Sequence, residues 1–182
     1  PYAYYQNAGE PNPVSDSWTG SFVQGGPQLP ASITVDSLAS WTDFAGDEYK
    51  AFSGTAVYTT TIDKVPVADV IKLDLGFVAE NASVYLNGDY IGTVIDSPYQ
   101  LYIPAEKFKG QDELVVRVAN SMANRIAYMD KKGVDWKIFY NVNMSARKKE
   151  NVKNGIFDAS DWEPKSSGLL GPVTLTPAMV KQ

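Results

Sequence analysis

The sequence predicts an all-β fold: a β-sandwich interrupted by one long, partly helical insertion. Three observations carry that expectation. Residues 82–120 place short runs of alternating apolar residues on both sides of Asn87-Gly88. Asn-Gly suits both central positions of a type I′ turn, where φ must be positive, so a hairpin is expected there. Tyr99–Ile103 and Leu114–Ala119 then alternate in the same way, giving three or four antiparallel strands in succession. Residues 121–166 abandon the alternation: Met122, Ile126 and Met129 fall at helical spacing.

The elements follow in order. Residues 1–15 form a polar lead-in or linker, where Pro11 and Pro13 are expected to forbid regular pairing. The sandwich domain is expected over 16–182. Trp18–Val23 reads as a first strand, and Ile33 and Val35 alternate with Thr34 and Asp36 in a second that ends near Ser37. Ala56, Tyr58, Thr60 and Ile62 form one face of an eight-residue strand. Ile71, Leu73 and Leu75 point inward from the next, with Lys72 and Asp74 outward. The hairpin block comes after these, and Val173–Thr176 closes the fold. Roughly eight to ten short strands separated by turns have the spacing of sandwiches and jelly rolls.

The insertion spans 121–166. Ser121 is a candidate N-cap and Gly133 a stop for its first helix. The polar stretch Asn143–Asn154, ended by Gly155, is expected to hold one or two helical turns. So long an excursion is either functional or disordered, and Trp136, Phe139, Tyr140, Phe157 and Trp162 argue for order.

Composition narrows the chemistry. The 182 residues suffice for one domain with a real core. A net charge of −5 argues against nucleic acid as a partner. With no His and no Cys, Ser-His-Asp and Cys-His nucleophile systems, disulfides and the usual zinc sites are excluded. Carboxylate, Lys, Tyr or oxygen-ligated metal chemistry remains open. No apolar run is long enough to span a membrane. The opening Pro-Tyr-Ala-Tyr-Tyr, without an initiator Met or a signal peptide, leads us to expect a piece of a longer polypeptide.

Two segments carry a resemblance. VYLNGDYIGTV with the QDELVVRVAN strand resembles the sugar-binding jelly-roll domain of family 2 glycoside hydrolases. SSGLLGPVTLTP, preceded by NRIAYMDKKGVDWKIFYNVN, is similar to the β-sandwich domain of alpha-L-rhamnosidase-like enzymes of glycoside hydrolase family 106, and FSGTAVYTTTI fits the same pattern. The likeness covers about residues 18–178. It implies a galactose-binding domain-like fold beside a catalytic barrel, within a bacterial periplasmic or extracellular enzyme acting on plant polysaccharide. The catalytic carboxylates would belong to the barrel, which typically needs about 250 residues of its own. The expected function is a non-catalytic carbohydrate-recognition domain. The alternative is a module that braces the barrel without binding sugar alone. The expected partners are carbohydrate and the catalytic domain of the same polypeptide. The fold also admits a structural calcium ion, although no Asp-x-Asp-x-Asp loop is present and the Asp-rich turns at 43–48 and 158–161 are not diagnostic. No other cofactor is expected.

Sugar sites combine an aromatic platform with planar polar groups. The insertion offers Trp136, Tyr140 and Trp162 as platforms and Asn124, Arg125, Asn141 and Asn143 as hydrogen-bonding groups. The same aromatics also suit sealing the sandwich end, and the Asn residues also suit turns. By the resemblance, Asn120 points toward the neighbouring barrel's sugar site; by its position alone it is a strand-end Asn bonding backbone. Glycosidases need two carboxylates about 5–10 Å apart across a cleft. Asp47, Glu48, Glu80, Asp158, Asp161 and Glu163 are present, but spacing pairs none of them. Arg147, Lys148, Lys149 and Lys153 read as a solvated face more than a grip on acidic polymer. Asn81-Ala82-Ser83 and Asn143-Met144-Ser145 match the glycosylation sequon, and the Ser167–Pro172 run reads as structural.

Overall fold

The structure, a computed structural model, describes residues 4–14, 17–138 and 148–181. In chain order its strands are β1 (Tyr4–Asn7), β2 (Asn12–Pro13), β3 (Trp18–Gly26), β4 (Ile33–Val35), β5 (Ser53–Ile62), β6 (Val70–Asp74), β7 (Phe77–Ala79) and β8 (Asn81–Leu86). There follow β9 (Asp89–Val94), β10 (Gln100–Pro104), β11 (Asp112–Ala119), β12 (Val152–Lys153), β13 (Ile156–Phe157), β14 (Gly168–Gly171) and β15 (Thr174–Lys181). Two helices, α1 (Asp47–Ala51) and α2 (Ala123–Lys131), join them.

One sheet runs β1-β15-β6-β10, with β2 also on β15; the other runs β4-β3-β5-β11-β8-β9. The fold is the expected all-β sandwich. Period-two alternation decides which faces meet. Ile71, Leu73, Leu175 and Ile103 of the first sheet are buried, as are Ala56, Tyr58, Val84, Leu114, Val116 and Val118 of the second. The register Val116↔Tyr58 on one side and Val116↔Val84 on the other keeps these residues on one face. Trp41, Phe52 and Leu169 close one end of the core.

The Asn87-Gly88 hairpin forms as the sequence predicts, with φ of 53° and 83°. Asp112 locks it. Its buried carboxylate accepts from Asn87 Nδ2 at 2.6 Å and from the backbone N–H of Lys109 at 2.8 Å and Gly110 at 3.1 Å. Every bond is an N–H donor to a carboxylate oxygen, the strong case for a buried acid.

Three local expectations need correction. The first segment does pair: β1 lies antiparallel to β15, and Pro13 sits opposite Thr174. An edge strand tolerates proline, and only the outer side of β15 was open to receive it. Tyr5 then stacks on Tyr102 of β10 with ring centroids 4.4 Å apart. Strands lie about 4.8 Å apart, so these two rings from opposite edges meet only by reaching over β15 and β6. That cover explains why Thr176 and Ala178 are buried on an outward face.

Second, Ser121 does not cap α2. The cap position is Met122, with no side-chain bond. The third N–H of the helix is instead satisfied from β5, where Ser53 Oγ accepts from Arg125 N at 3.1 Å. Gly133 does end the helix, in a Schellman arrangement: Gly133 N–H donates to Asp130 O and Val134 N–H to Met129 O. Third, among the described residues the stretch before Gly155 has a helical turn as expected, the 3₁₀ turn Lys149–Asn151, but it then runs into a hairpin, β12–β13, in place of further helix. Its turn is a second Asn-Gly pair, Asn154 and Gly155, with φ of 53° and 77°.

Candidate functional site

The insertion returns to the sandwich end and is fixed there by polar side chains. Asn120 Oδ1 accepts from Gly54 N–H at 2.8 Å, while its Nδ2 donates to Phe52 O at 3.1 Å and Ser167 Oγ at 2.9 Å. Asn124 grips the backbone of Lys165 as a strand would. It donates to Lys165 O at 2.9 Å and accepts from Lys165 N–H at 2.8 Å. Ser167 ties the return to Ser40, whose Oγ accepts from Ser167 N–H at 2.9 Å. Both amides are therefore committed within the protein.

Asp130 is the second hub. Its buried carboxylate accepts from Trp136 Nε1 at 2.7 Å and from the Ala159 N–H at 2.8 Å, and it pairs with Lys137. The Lys137 ammonium also lies 5.1 Å from the centre of the Trp136 ring. Trp162 is held by its edge: Nε1 donates to Asn151 Oδ1 at 2.9 Å, and Phe157 packs edge-on at 5.8 Å. An indole fixed in this way keeps a constant orientation.

These anchors frame a groove of about 500 Å³ between α1, α2 and residues 160–164. Asn124, Ala127, Tyr128 and Lys131 line it from α2, at the spacing of one helix face. Asp47 and Lys50 face it from α1, and Asp161, Trp162 and Glu163 from the far wall. The Lys132 ammonium stands 5.7 Å from the Tyr128 ring centre. Of the expected sugar-site residues, the groove brings together Asn124 and Trp162. Trp136 lies on the Asp130 hub, Asn120 at the strand end, and Arg125 against β3. Tyr140, Asn141 and Asn143 lie outside the described residues.

Sequence reasoning missed Tyr128, Lys131 and Lys50, and it weighed Asp47 only as an unpaired carboxylate. The first two were within reach, because they repeat the Asn124 face of a helix already expected. The groove also gathers Asp47, Asp161 and Glu163, carboxylates that spacing alone had left unpaired. Asp161 is spoken for by Lys153, at 3.0 Å. Lys153 also faces Asp158 at 3.4 Å. The Ser160 hydroxyl, donating at 2.5 Å, holds the Asp158 carboxyl below its usual range, with Lys153 adding to the effect. Lys153 is itself raised, first by its bond to Asp161. Among the described residues no group of three or more carboxylates is arranged to hold a metal ion. No helix among them is long and apolar enough to cross a membrane.

No protein-family model matches the chain. A protein of Formosa agariphila that bears the name "Putative beta-glucuronidase" is 32% identical along an alignment 158 residues long, which covers 79% of this chain and 14% of that protein. The structure of the rhamnosidase from Novosphingobium sp. PP1Y superposes with a TM-score of 0.74 at 27% identity, over 97% of this chain and 15% of that one. An FMN-binding beta-glucuronidase from Facaelibacterium prausnitzii L2-6 shares the fold, with a TM-score of 0.54 at 19% identity, over 98% of this chain and 23% of that one. The chain is thus similar to a domain-sized part of glycoside hydrolases. It spans only 14% and 15% of the first two relatives.

Proposed function

We propose that the chain is the non-catalytic, carbohydrate-recognising β-sandwich of a larger glycoside hydrolase, a jelly roll of the rhamnosidase-like family 106 type. One observation carries this: 97% of the chain superposes on only 15% of the Novosphingobium rhamnosidase. The remaining length of such an enzyme is where a catalytic barrel and its carboxylates would lie. Within this chain, the groove between α1 and α2 is the proposed sugar site. Trp162 offers a fixed indole to the apolar face of a pyranose, and Asp47, Lys50 and Glu163 offer acceptors and donors to its hydroxyls. The names of the relatives put rhamnosides and glucuronides first among ligands to try.

Titration calorimetry of the folded chain against rhamnose, glucuronate and pectic oligosaccharides tests this. Binding is expected at millimolar affinity, and Trp162→Ala is expected to abolish it. Silence towards every saccharide, with the fold intact, sinks the sugar site. A second role is favoured by a separate observation. Met122, Val134 and Ile138 of the insertion are exposed apolar residues. They suit a surface that braces a neighbouring catalytic domain, and the two roles are compatible.

A further inference from the structure

We propose that Arg125 is a carboxylate anchor and that its ligand is a uronate, a pyranose carrying a carboxylate, presented along α2 beside the groove. This rests on the carbohydrate reading above and adds a charge requirement to it.

Arg125 sits one helical step after Asn124 and three before Tyr128, so it flanks the lined face of α2. Its backbone is pinned by Ser53. Its guanidinium lies flat on Gly26, where an added Cβ would come within 2.5 Å of Nη1 and 2.8 Å of Cζ. A side chain at position 26 would push the guanidinium off this seat. Nε is buried and has no hydrogen-bond partner. Among the described residues the ion pairs involve only Lys137 and Lys153 as cations, so Arg125 has no carboxylate beside it. Residues 139–147 contain neither Asp nor Glu.

A half-buried guanidinium without a counter-ion is costly to keep. Its Nη edge is a rigid planar fork that matches the two oxygens of a carboxylate, a fit that a sugar hydroxyl does not reproduce. On a helix that already walls the proposed sugar groove, the ligand that supplies such a group is an acidic saccharide.

The test is an NMR titration of the 182-residue chain with galacturonate, glucuronate and a galacturonate disaccharide, run beside galactose, the galacturonate methyl ester and inorganic sulfate. The uronates are expected to shift the Arg125 side-chain Nε–H and the amides of Gly26 and Ser53. The methyl ester and galactose should bind at least about tenfold more weakly, about 1.4 kcal/mol, since each loses a charge-assisted hydrogen bond. Arg125→Gln should lower uronate affinity by a similar factor and Arg125→Lys by less, with the circular dichroism of both unchanged. The proposal is overturned if Arg125→Gln binds uronate like the parent chain, if the ester binds equally well, or if sulfate gives the same shifts as uronate. Neutral sugars titrating the Trp162 groove with no preference for acid would also overturn it, while leaving the carbohydrate reading standing. No response to any saccharide removes both.

Discussion

The sandwich and the insertion on its rim are held together by different physics. In the sandwich, Ile71, Leu73 and Leu175 of one sheet face Tyr58, Val84 and Val116 of the other, and removal of apolar surface from water does the work. On the rim, α2 buries a single residue, and that residue is Asn124. Amides and carboxylates take over there: Asn120 and Asn124 against Ser167 and Lys165, and Asp130 against Trp136, Lys137 and Ala159. Apolar burial is non-directional and grades with area. Polar hubs are directional and fail when one donor or acceptor goes missing. Core damage should therefore lower the stability of the whole molecule, and rim damage should loosen the groove locally.

The largest effects belong to the core. Phe52 is fully buried, with its ring 5.0 Å from Phe22 and 5.6 Å from Trp41. Phe52→Ala is expected to cost about 3–5 kcal/mol in urea unfolding. Gly168→Ala should come close to that by the opposite route, overpacking. Gly168 has a φ of 107°, and its Cβ would meet Trp41 Cε3 at 2.8 Å. Strain and clash together should cost about 3 kcal/mol. A loss below about 1 kcal/mol for either variant would show that this end of the core can relax, contrary to close packing.

Asn120 joins the two regions, and its effect should fall between them. Asn120→Ala removes the side-chain bonds to Gly54 N–H, Phe52 O and Ser167 Oγ at the junction of the two regions, and of these only Ser167 Oγ is seen to keep other partners, Asn124 Nδ2 and Lys165 O. A loss of about 2–3 kcal/mol is expected, measured by the same unfolding. Tyr58 provides a pH-dependent test of the core. Burial pushes its hydroxyl up to about 12 from the usual 10.0, with the Leu169 backbone opposing in part. In the unfolded chain the phenol ionises near 10, so between that value and 12 the unfolded state binds fewer protons than the folded one. Stability should be intact below about pH 10 and fall by about 2–3 kcal/mol as pH rises towards 12. Tyr58→Phe should remove most of that decline. An unchanged alkaline slope in this variant would place the cause elsewhere.

The two Asn-Gly hairpins show what was legible. Asn87-Gly88 and Asn154-Gly155 adopt nearly the same positive φ values. The first was visible because Val84, Leu86, Ile91 and Val94 announce strands on both sides. The second sits between two-residue strands, Val152–Lys153 and Ile156–Phe157, too short to show alternation. The lysines before it read as a polar helical stretch instead. Period-two faces were read correctly because burial enforces them residue by residue. The pairing of β1 with β15 was not, because it joins positions 4–7 to 178–181, and nothing local encodes that contact. The same holds at the groove. Trp162 and Asn124 were legible as residue types, and Tyr128 was implied by the face of α2. Asp47 and Lys50 arrive there through the tertiary fold alone.

Asp130→Asn should separate rim from core most cleanly. The amide keeps one acceptor where the carboxylate served Trp136, Lys137 and Ala159. It also removes the partner of a largely buried ammonium. The expected outcome is faster amide exchange at Ala159 and at the Trp136 indole, and weaker saccharide binding at the Trp162 groove. The global unfolding midpoint should move by less than about 1 kcal/mol, because the hub belongs to a local opening unit. A drop as large as that of Phe52→Ala would mean the rim and the sandwich unfold as one.

The smallest effect is expected in the turn that carries Asp158, Ser160 and Asp161. Asp158 is held below the usual carboxylate value of 3.8 by the Ser160 hydroxyl first, then by the Ser160 backbone N–H and Lys153, with burial opposing in part. A depressed carboxyl adds stability above its unfolded value and loses it as pH falls through the lower folded value. Acid should therefore loosen this wall of the groove before it touches the core. Following the Asp158 carboxyl carbon by NMR, Ser160→Ala should move the inflection upward more than Lys153→Ala does. The Lys153 ion pairs are solvent-exposed and screened, so they contribute less than a fixed hydroxyl two residues away. The reverse order would mean that charge, and not the hydrogen-bonded turn, shapes this side of the groove.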